Sequence, residues 1–402
     1  LKTVAIAGTF DTKGDEYLYL KELIESLGLS TFTIHTGVFK STFKPDVSNN
    51  EVAEAAGIDI KTLVDKKDRA LATEILSKGM EKLVPKLYKE GKFNGIISLG
   101  GSGGTSLVTP AMRALPIGVP KVMVSTVASG NTAPYVGTSD IVMMPSVVDV
   151  SGLNSISTKI FANAAFAIAG MVKFESIKVV EKKKLIAATM FGVTTPCVTA
   201  ARKYLEDRGY EVLVFHATGI GGQSMEALIE AGFIEGVLDL TTTEWADEVI
   251  GGVLNAGDHR LEAASKNHVP QVVSVGALDM CNFGPYDTIP KKFAGRNFYK
   301  HNPTVTLMRT TVGENEAIGR KLVEKLNMAK EKTALFLPLR GISTIDVEGE
   351  SFYGVEEDKM LFDTLRNGVS RNIVEVIEMD CEINDVVFAE AAAQKLIALM
   401  NK

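Results

Sequence analysis

Short, nearly unbroken apolar runs rich in Val and Ile alternate with longer amphipathic stretches from one end of this chain to the other. The runs are Val4–Ala7, Thr31–His35, Gly95–Leu99, Lys121–Ser125 and Ile141–Met144, then Leu185–Met190, Glu211–Phe215, Gly236–Leu240, Gln271–Val275, Thr333–Leu337 and Ile373–Ile377. Strands that read as continuous apolar runs are parallel strands covered on both faces. Between them, Tyr17–Leu27 places Leu20, Leu23, Ile24 and Leu27 at helical spacing. Ala70–Lys89, Asn154–Lys173, Val198–Asp207, Met225–Ala231, Glu314–Met328 and Ala389–Met400 follow suit. Strands alternating with helices predict βαβ units and doubly wound α/β sheets. A chain of 402 residues exceeds the roughly 250 that one core supports, so two domains are expected. The charged stretch at 174–184 places the boundary there, giving domains 1–180 and 181–402. Whether the last helix stays with the second domain or packs back on the first is open.

Composition narrows the function. The formal charge is −6 and no basic stripe exists, which argues against nucleic acid as a direct partner. The run Lys182-Lys183-Lys184 reads as a solvated linker. Cys197, Cys281 and Cys381 are far apart and form no CxxC pair, so neither a zinc knuckle nor a redox motif is expected. The N-terminal residues enter a strand at once, without a secretory leader, and the apolar stretch Phe161–Val172 is too short to span a bilayer. A cytoplasmic protein with reduced thiols and no membrane contact is the expectation.

Ligands of open α/β sheets bind at the carboxyl ends of the strands. The first loop there, Gly8-Thr9-Phe10-Asp11-Thr12-Lys13-Gly14, offers a helix start, with Thr12 and Asp15 at capping-box spacing. Lys13 is expected to reach a phosphate, and Asp11 a ribose or a phosphate-borne metal. The second loop, Gly100-Gly101-Ser102-Gly103-Gly104-Thr105, concentrates glycine where backbone must approach something closely. Its amides and the Ser102 and Thr105 hydroxyls suit a phosphate. It is neither a Walker A loop nor the G-x-G-x-x-G fingerprint.

A third loop in the second domain, His216-Ala217-Thr218-Gly219-Ile220-Gly221-Gly222, repeats the form G-x-G-G-x-S. Two such loops suggest one ligand gathered from both domains, with His216 either structural or touching base, ribose or substrate. Thr241-Thr242-Thr243-Glu244 opens a helix, and its hydroxyls serve either as caps or as ligand groups. The stretch from Ala277 to His301 is long for a loop and rich in aromatics, which leaves lid, dimer contact and base pocket open. Arg340 is a candidate for phosphate or substrate.

Ten motifs carry a family resemblance: Gly8–Gly14, Leu99–Thr105, Gly152–Ser157, Met190–Pro196, Phe215–Gly222, Asp239–Glu244, Ala277–Met280, His301–Pro303, Leu307–Thr311 and Pro338–Ser343. In this order they resemble the Tm-1-like (UPF0261) family over nearly the whole chain. The resemblance implies two Rossmann-like domains, ATP binding, association with Mg²⁺ and a homodimer. The expected ligand is therefore ATP in an interdomain cleft. Its phosphates would lie on Gly100–Thr105 beside Asp11, Thr12 and Lys13, with His216, Thr218, Gly219, Gly221, Gly222, Thr242, Thr243 and Arg340 completing the site. Two roles remain open. One is an ATP-dependent kinase, ligase or hydrolase acting on a small acidic metabolite. The other is a nucleotide-sensing module that acts through a protein partner.

Overall fold

The structure, a computed structural model, describes residues 1–174 and 183–401. Part of the expected boundary at 174–184 and Lys182 of the basic run lie outside these residues. Contacts divide the chain into two compact units, residues 1–179 and 180–402.

The first unit runs β1 (Thr3–Gly8), α1 (Gly14–Ser26), β2 (Ser30–His35), α2 (Asn49–Ala55), α3 (Ile60–Lys66), α4 (Arg69–Lys89), β3 (Gly95–Gly100), α5 (Ser102–Arg113), β4 (Lys121–Ser125), α6 (Ala133–Val136), β5 (Val142–Pro145) and α7 (Ser157–Lys173). Its five strands are all parallel, in the order β2-β1-β3-β4-β5. Chain direction across the sheet reverses between β1 and β3, which is the switch point of a doubly wound fold. β3 and β4 are buried at every residue, whereas the edge strand β5 is buried at none. One face is sealed by Leu76, Met80, Val108 and Met112 of α4 and α5, the other by Leu20, Ile24, Phe161 and Ile168 of α1 and α7.

The second unit runs β6 (Leu185–Met190), α8 (Thr195–Glu206), β7 (Glu211–His216), α9 (Ile220–Glu230), β8 (Gly236–Thr241), α10 (Glu244–Ile250), α11 (Ala263–Lys266), β9 (Gln271–Gly276), β10 (Met280–Phe283), β11 (Phe298–Asn302), β12 (Val305–Arg309), α12 (Val312–Leu326), β13 (Thr333–Pro338), α13 (Val355–Gly368), β14 (Val374–Met379) and α14 (Val386–Met400). Its parallel sheet has the order β14-β13-β9-β8-β6-β7, with the switch point between β6 and β8. The three strands β13, β9 and β8 are fully buried, while β7 and β14 at the edges are half exposed. The last helix, α14, packs in this unit: Phe388, Ala392 and Leu396 join a core with Leu205 and Phe336.

The long stretch from Ala277 to His301 is only partly a loop. Its two ends are strands of a small antiparallel sheet, β10-β12-β11, that runs on to Arg309, and the stretch between them makes two short 3-10 turns; Phe283 of β10 and Phe293 of the second turn enter the core. All three cysteines are free and buried. No described helix is long and apolar enough to cross a membrane.

Candidate functional site

The turn between β1 and α1 and the start of α5 leave adjacent strands at the first unit's switch point. At α5, the N–H of Thr105 is the first to find a helical acceptor, Gly101 O at 3.0 Å. The N–H groups of Ser102, Gly103 and Gly104 have no acceptor among the described residues, which is the ordinary state of a helix start. The 12-residue helix directs its positive dipole end to the same point.

The glycines here have no internal justification. A Cβ on Gly101 would stand 3.7 Å from Thr126 Oγ1, on Gly103 3.6 Å from Arg69 Nη2, and on Gly104 3.7 Å from Leu99 O. These are ordinary contacts, and none of the three has positive φ. Glycine in a helix costs about 1 kcal/mol relative to alanine. Only Gly100 is crowded by the protein itself, against Gly104 Cα at 3.1 Å.

Arg69, the first residue of α4, is exposed and makes no ion pair or side-chain hydrogen bond among the described residues. Its guanidinium stands beside the open start of α5. Sequence reasoning missed it, because the residue lies in a charged stretch far from any strand end.

The other residues expected around these phosphates are placed differently. The Thr105 hydroxyl is buried, donating to Gly101 O at 2.7 Å and pairing with Ser125 Oγ at 2.6 Å, so it fastens α5 to β4 and is not free for a ligand. Ser102 is exposed and its hydroxyl is unengaged among the described residues. Lys13 donates its ammonium to the Val150 carbonyl, which makes it a strap across the edge of the sheet. Thr12 bonds Thr9 Oγ1 at 3.0 Å, and α1 starts from Lys13 without a side-chain cap, so the expected Thr12–Asp15 capping box does not form. Asp11 accepts the Phe39 N–H through Oδ2 at 2.9 Å, while its buried Oδ1 has no partner.

In the second unit the similar sequence serves an opposite purpose. Gly219 has φ +87°, and a Cβ there would meet Asn255 O. A Cβ on Gly221 would collide with the His216 backbone, and one on Gly222 with the Glu244 carboxylate. The N–H groups of Gly219 and Gly222 donate to Glu244 Oε1 at 2.7 and 3.0 Å. The cradle is filled by the protein's own carboxylate, so these glycines and Gly221 are structural. That corrects the expectation of a second phosphate loop.

Glu244 Oε2 in turn accepts from Arg260 Nε at 2.6 Å. Arg260 also grips Asp239 with two bonds of 2.5 and 2.8 Å and reaches Glu226 at 3.3 Å. Burial works against this guanidinium's charge, but Asp239, Glu244 and Glu226 together hold its proton well above the ordinary arginine range. Burial pushes Glu226 up despite Arg260. Thr189 Oγ1 donates to Asp239 at 2.7 Å and accepts the Thr241 N–H at 3.0 Å. An ionic cluster therefore occupies the place beside β6 and β8 where a ligand of this sheet would lie.

Thr242 is buried and donates to Ser274 O at 2.9 Å, and Thr243 is buried with its hydroxyl unpartnered. Thr218 Oγ1 donates to the His216 carbonyl at 3.3 Å, and the exposed His216 ring lies 5.5 Å from Phe191. Arg340 forms a two-bond pair with Asp380 at 2.7 and 2.8 Å on the surface. No group of three or more His, Cys, Asp or Glu among the described residues could hold a metal ion.

Residues 2–176 match the family described as Uncharacterised protein family (UPF0261) N-terminal domain, and residues 183–400 match its C-terminal domain. A UPF0261 protein of Clostridium tetani is 58% identical over 402 residues, covering 100% of both chains. A UPF0261 protein of Rhizobium meliloti is 44% identical, covering 98% of both. The ToMV resistance protein Tm-1(GCR237) of Solanum lycopersicum is 43% identical over 98% of this chain, which spans 55% of the tomato protein.

Proposed function

This chain belongs to the UPF0261 family, and we propose that its first unit binds ATP, with the polyphosphate held at the start of α5. The observation that carries this reading is the set Gly101, Gly103 and Gly104. Each has room for a side chain and lacks one, at a helix start whose amides are unengaged. A ligand that lies directly on the main chain accounts for all three. Backbone amides bind a phosphate through hydrogen bonds aided by the helix dipole, and the exposed Arg69 adds a charge with a forked donor geometry suited to phosphate. The Ser102 hydroxyl supplies one further donor.

Magnesium fits this site only as a companion of the nucleotide. Mg²⁺ is commonly bound by one or two carboxylates together with phosphate oxygens. Asp11, with one carboxylate oxygen free of any partner, is the residue of this loop that suits it. Bound there, the ion would neutralise phosphate charge. Lys13 contributes its field at the same edge while it stays bonded to Val150.

Calorimetry with ATP, with and without Mg²⁺, tests the reading on the intact chain. Arg69→Ala is expected to weaken binding by about tenfold, the scale of one charged hydrogen bond. Unchanged affinity removes Arg69 from the site, and absence of ATP binding by the wild-type chain removes the reading. Following phosphate release in the same samples separates an ATP-consuming enzyme from a nucleotide sensor.

A further inference from the structure

The loop that follows β2 is built around a residue whose side chain the fold leaves unused. Phe39 lies in this loop and is 63% exposed. On either side of it, Val38 and Phe43 turn inward and pack on the two cores of the first unit. Among the described residues, the exposed aromatic side chains of this unit are Phe39, Phe166 and Phe174. Phe166 lies within α7 and Phe174 ends it, so of the three only Phe39 stands on a loop at the carboxyl edge of the sheet.

The main chain of Phe39 is held from both sides. Its N–H donates to Oδ2 of Asp11, in the turn after β1, at 2.9 Å. Its carbonyl lies 2.8 Å from His35 Nε2 and accepts from Asn49 Nδ2 at 3.2 Å. His35 Nδ1 accepts the N–H groups of Phe10 and Gly37 at 3.2 and 3.4 Å, so Nε2 carries the ring proton and donates it to the Phe39 carbonyl. Asn49, the first residue of α2, also donates to the Gly37 and Val38 carbonyls at 2.8 and 3.1 Å. Position 37 is glycine because of this packing, since a Cβ there would stand 2.0 Å from Asp11 Oδ1. The His35 ring is itself buried and stacks on Phe10 with centroids 5.4 Å apart. The loop is thus a fixed mount that leaves one phenyl ring in water.

We infer that Phe39 is the platform on which the base of the bound nucleotide stacks, a role that rests on the polyphosphate lying at the start of α5. Strands β2, β1 and β3 are neighbours in the sheet, with His35 level with Gly8 and Ile6 level with Ile97, so the loops after these strands leave the sheet side by side. Two strand spacings, about 10 Å, separate the ends of β2 and β3. A nucleoside bridges that gap. With phosphates at the start of α5, the ribose crosses the turn after β1 and the base reaches the loop after β2. An aromatic face holds a base without reading its edges, so the platform favours nucleoside polyphosphates over bare polyphosphate and discriminates weakly among bases. A mount fixed before the ligand arrives has little freedom left to lose on binding, which is what the ties converging on the Phe39 main chain provide.

The test is calorimetric titration of the full chain with ATP and, separately, with inorganic tripolyphosphate. Wild type should bind both, ATP the more tightly. Phe39→Ala should weaken ATP binding by about tenfold or more, the scale of one base stacked on an aromatic ring, and leave tripolyphosphate affinity unchanged. Its Tm should match wild type, since the ring lies in water. Phe39→Trp should restore ATP affinity, and its indole emission should be quenched by ATP and not by tripolyphosphate. The chain's one native tryptophan, Trp245, is buried in the second unit and gives a constant background. Unchanged ATP affinity in Phe39→Ala, or an equal loss for ATP and tripolyphosphate, overturns the platform while the α5 site stands. A wild-type chain that binds neither probe overturns the α5 reading and the platform with it.

Discussion

Glu244 Oε1 lies 2.7 Å from the main-chain nitrogen of Gly219, where a ligand oxygen was expected. The same carboxylate group also receives Gly222 N–H and Arg260. A carboxylate presents a pair of oxygens much as a phosphate does, so a glycine-rich turn at a helix start binds either. In this unit the chain supplies the anion itself.

Removing that anion should be costly. Glu244→Ala leaves two buried amides unpaired and Arg260 with one carboxylate fewer, an expected loss of about 3 kcal/mol. Added formate or acetate should restore part of the loss by entering the vacated cradle. Urea unfolding with and without the anion, against a chloride control of equal ionic strength, reads this directly. A loss below about 1 kcal/mol, with no anion-specific recovery, would show that the cluster contributes little.

Val147 has φ +65° although it is β-branched, and it is 74% exposed. Its neighbours form a three-residue turn, with Val148 N–H donating to Ser146 O at 2.7 Å. Such a conformation strains any residue with a Cβ by about 1–3 kcal/mol. Val147→Gly should therefore raise stability by about 1 kcal/mol in chemical unfolding. A decrease would mean that the valine side chain makes contacts worth more than the strain.

Acid pH offers a check on a different tie. Asp247 accepts from Asn282 N and Leu254 N at 2.8 and 2.7 Å, joining α10 to β10, yet burial pushes it from the usual 3.8 to about 6. The folded chain therefore holds the Asp247 proton where the unfolded chain has lost it. Wild type should lose stability relative to Asp247→Asn as pH rises from about 4 to about 6, with a level difference above that. A difference that is constant with pH contradicts the assignment.

The sheets were legible because each strand's pattern is local: Ile96-Ile97-Ser98-Leu99 is apolar on both faces, and β3 is buried on both. The small sheet was not, since Met280–Phe283 and Val305–Arg309 are short and pair antiparallel across a long excursion that no local period reveals. Helices α2 and α13 were passed over because their polar sequences are held by tertiary packing of a few residues such as Val52 and Leu361. At the site, glycine spacing showed where two helices start but not what each start holds. Gly101-Ser102-Gly103-Gly104 and Gly219-Ile220-Gly221-Gly222 read alike but differ in backbone at their first glycine and in what comes near them: Arg69 in one case, Glu244 in the other, each distant in sequence.

Gly103→Ala is the most direct probe of the open helix start, since the added methyl meets no protein atom closer than 3.6 Å. Calorimetric titration of ATP into this variant and into wild type should show binding to wild type and at least tenfold weaker binding to the variant, while the variant's Tm is equal or higher because alanine favours the helix. Equal ATP affinity in the two proteins would mean that no phosphate lies against this backbone.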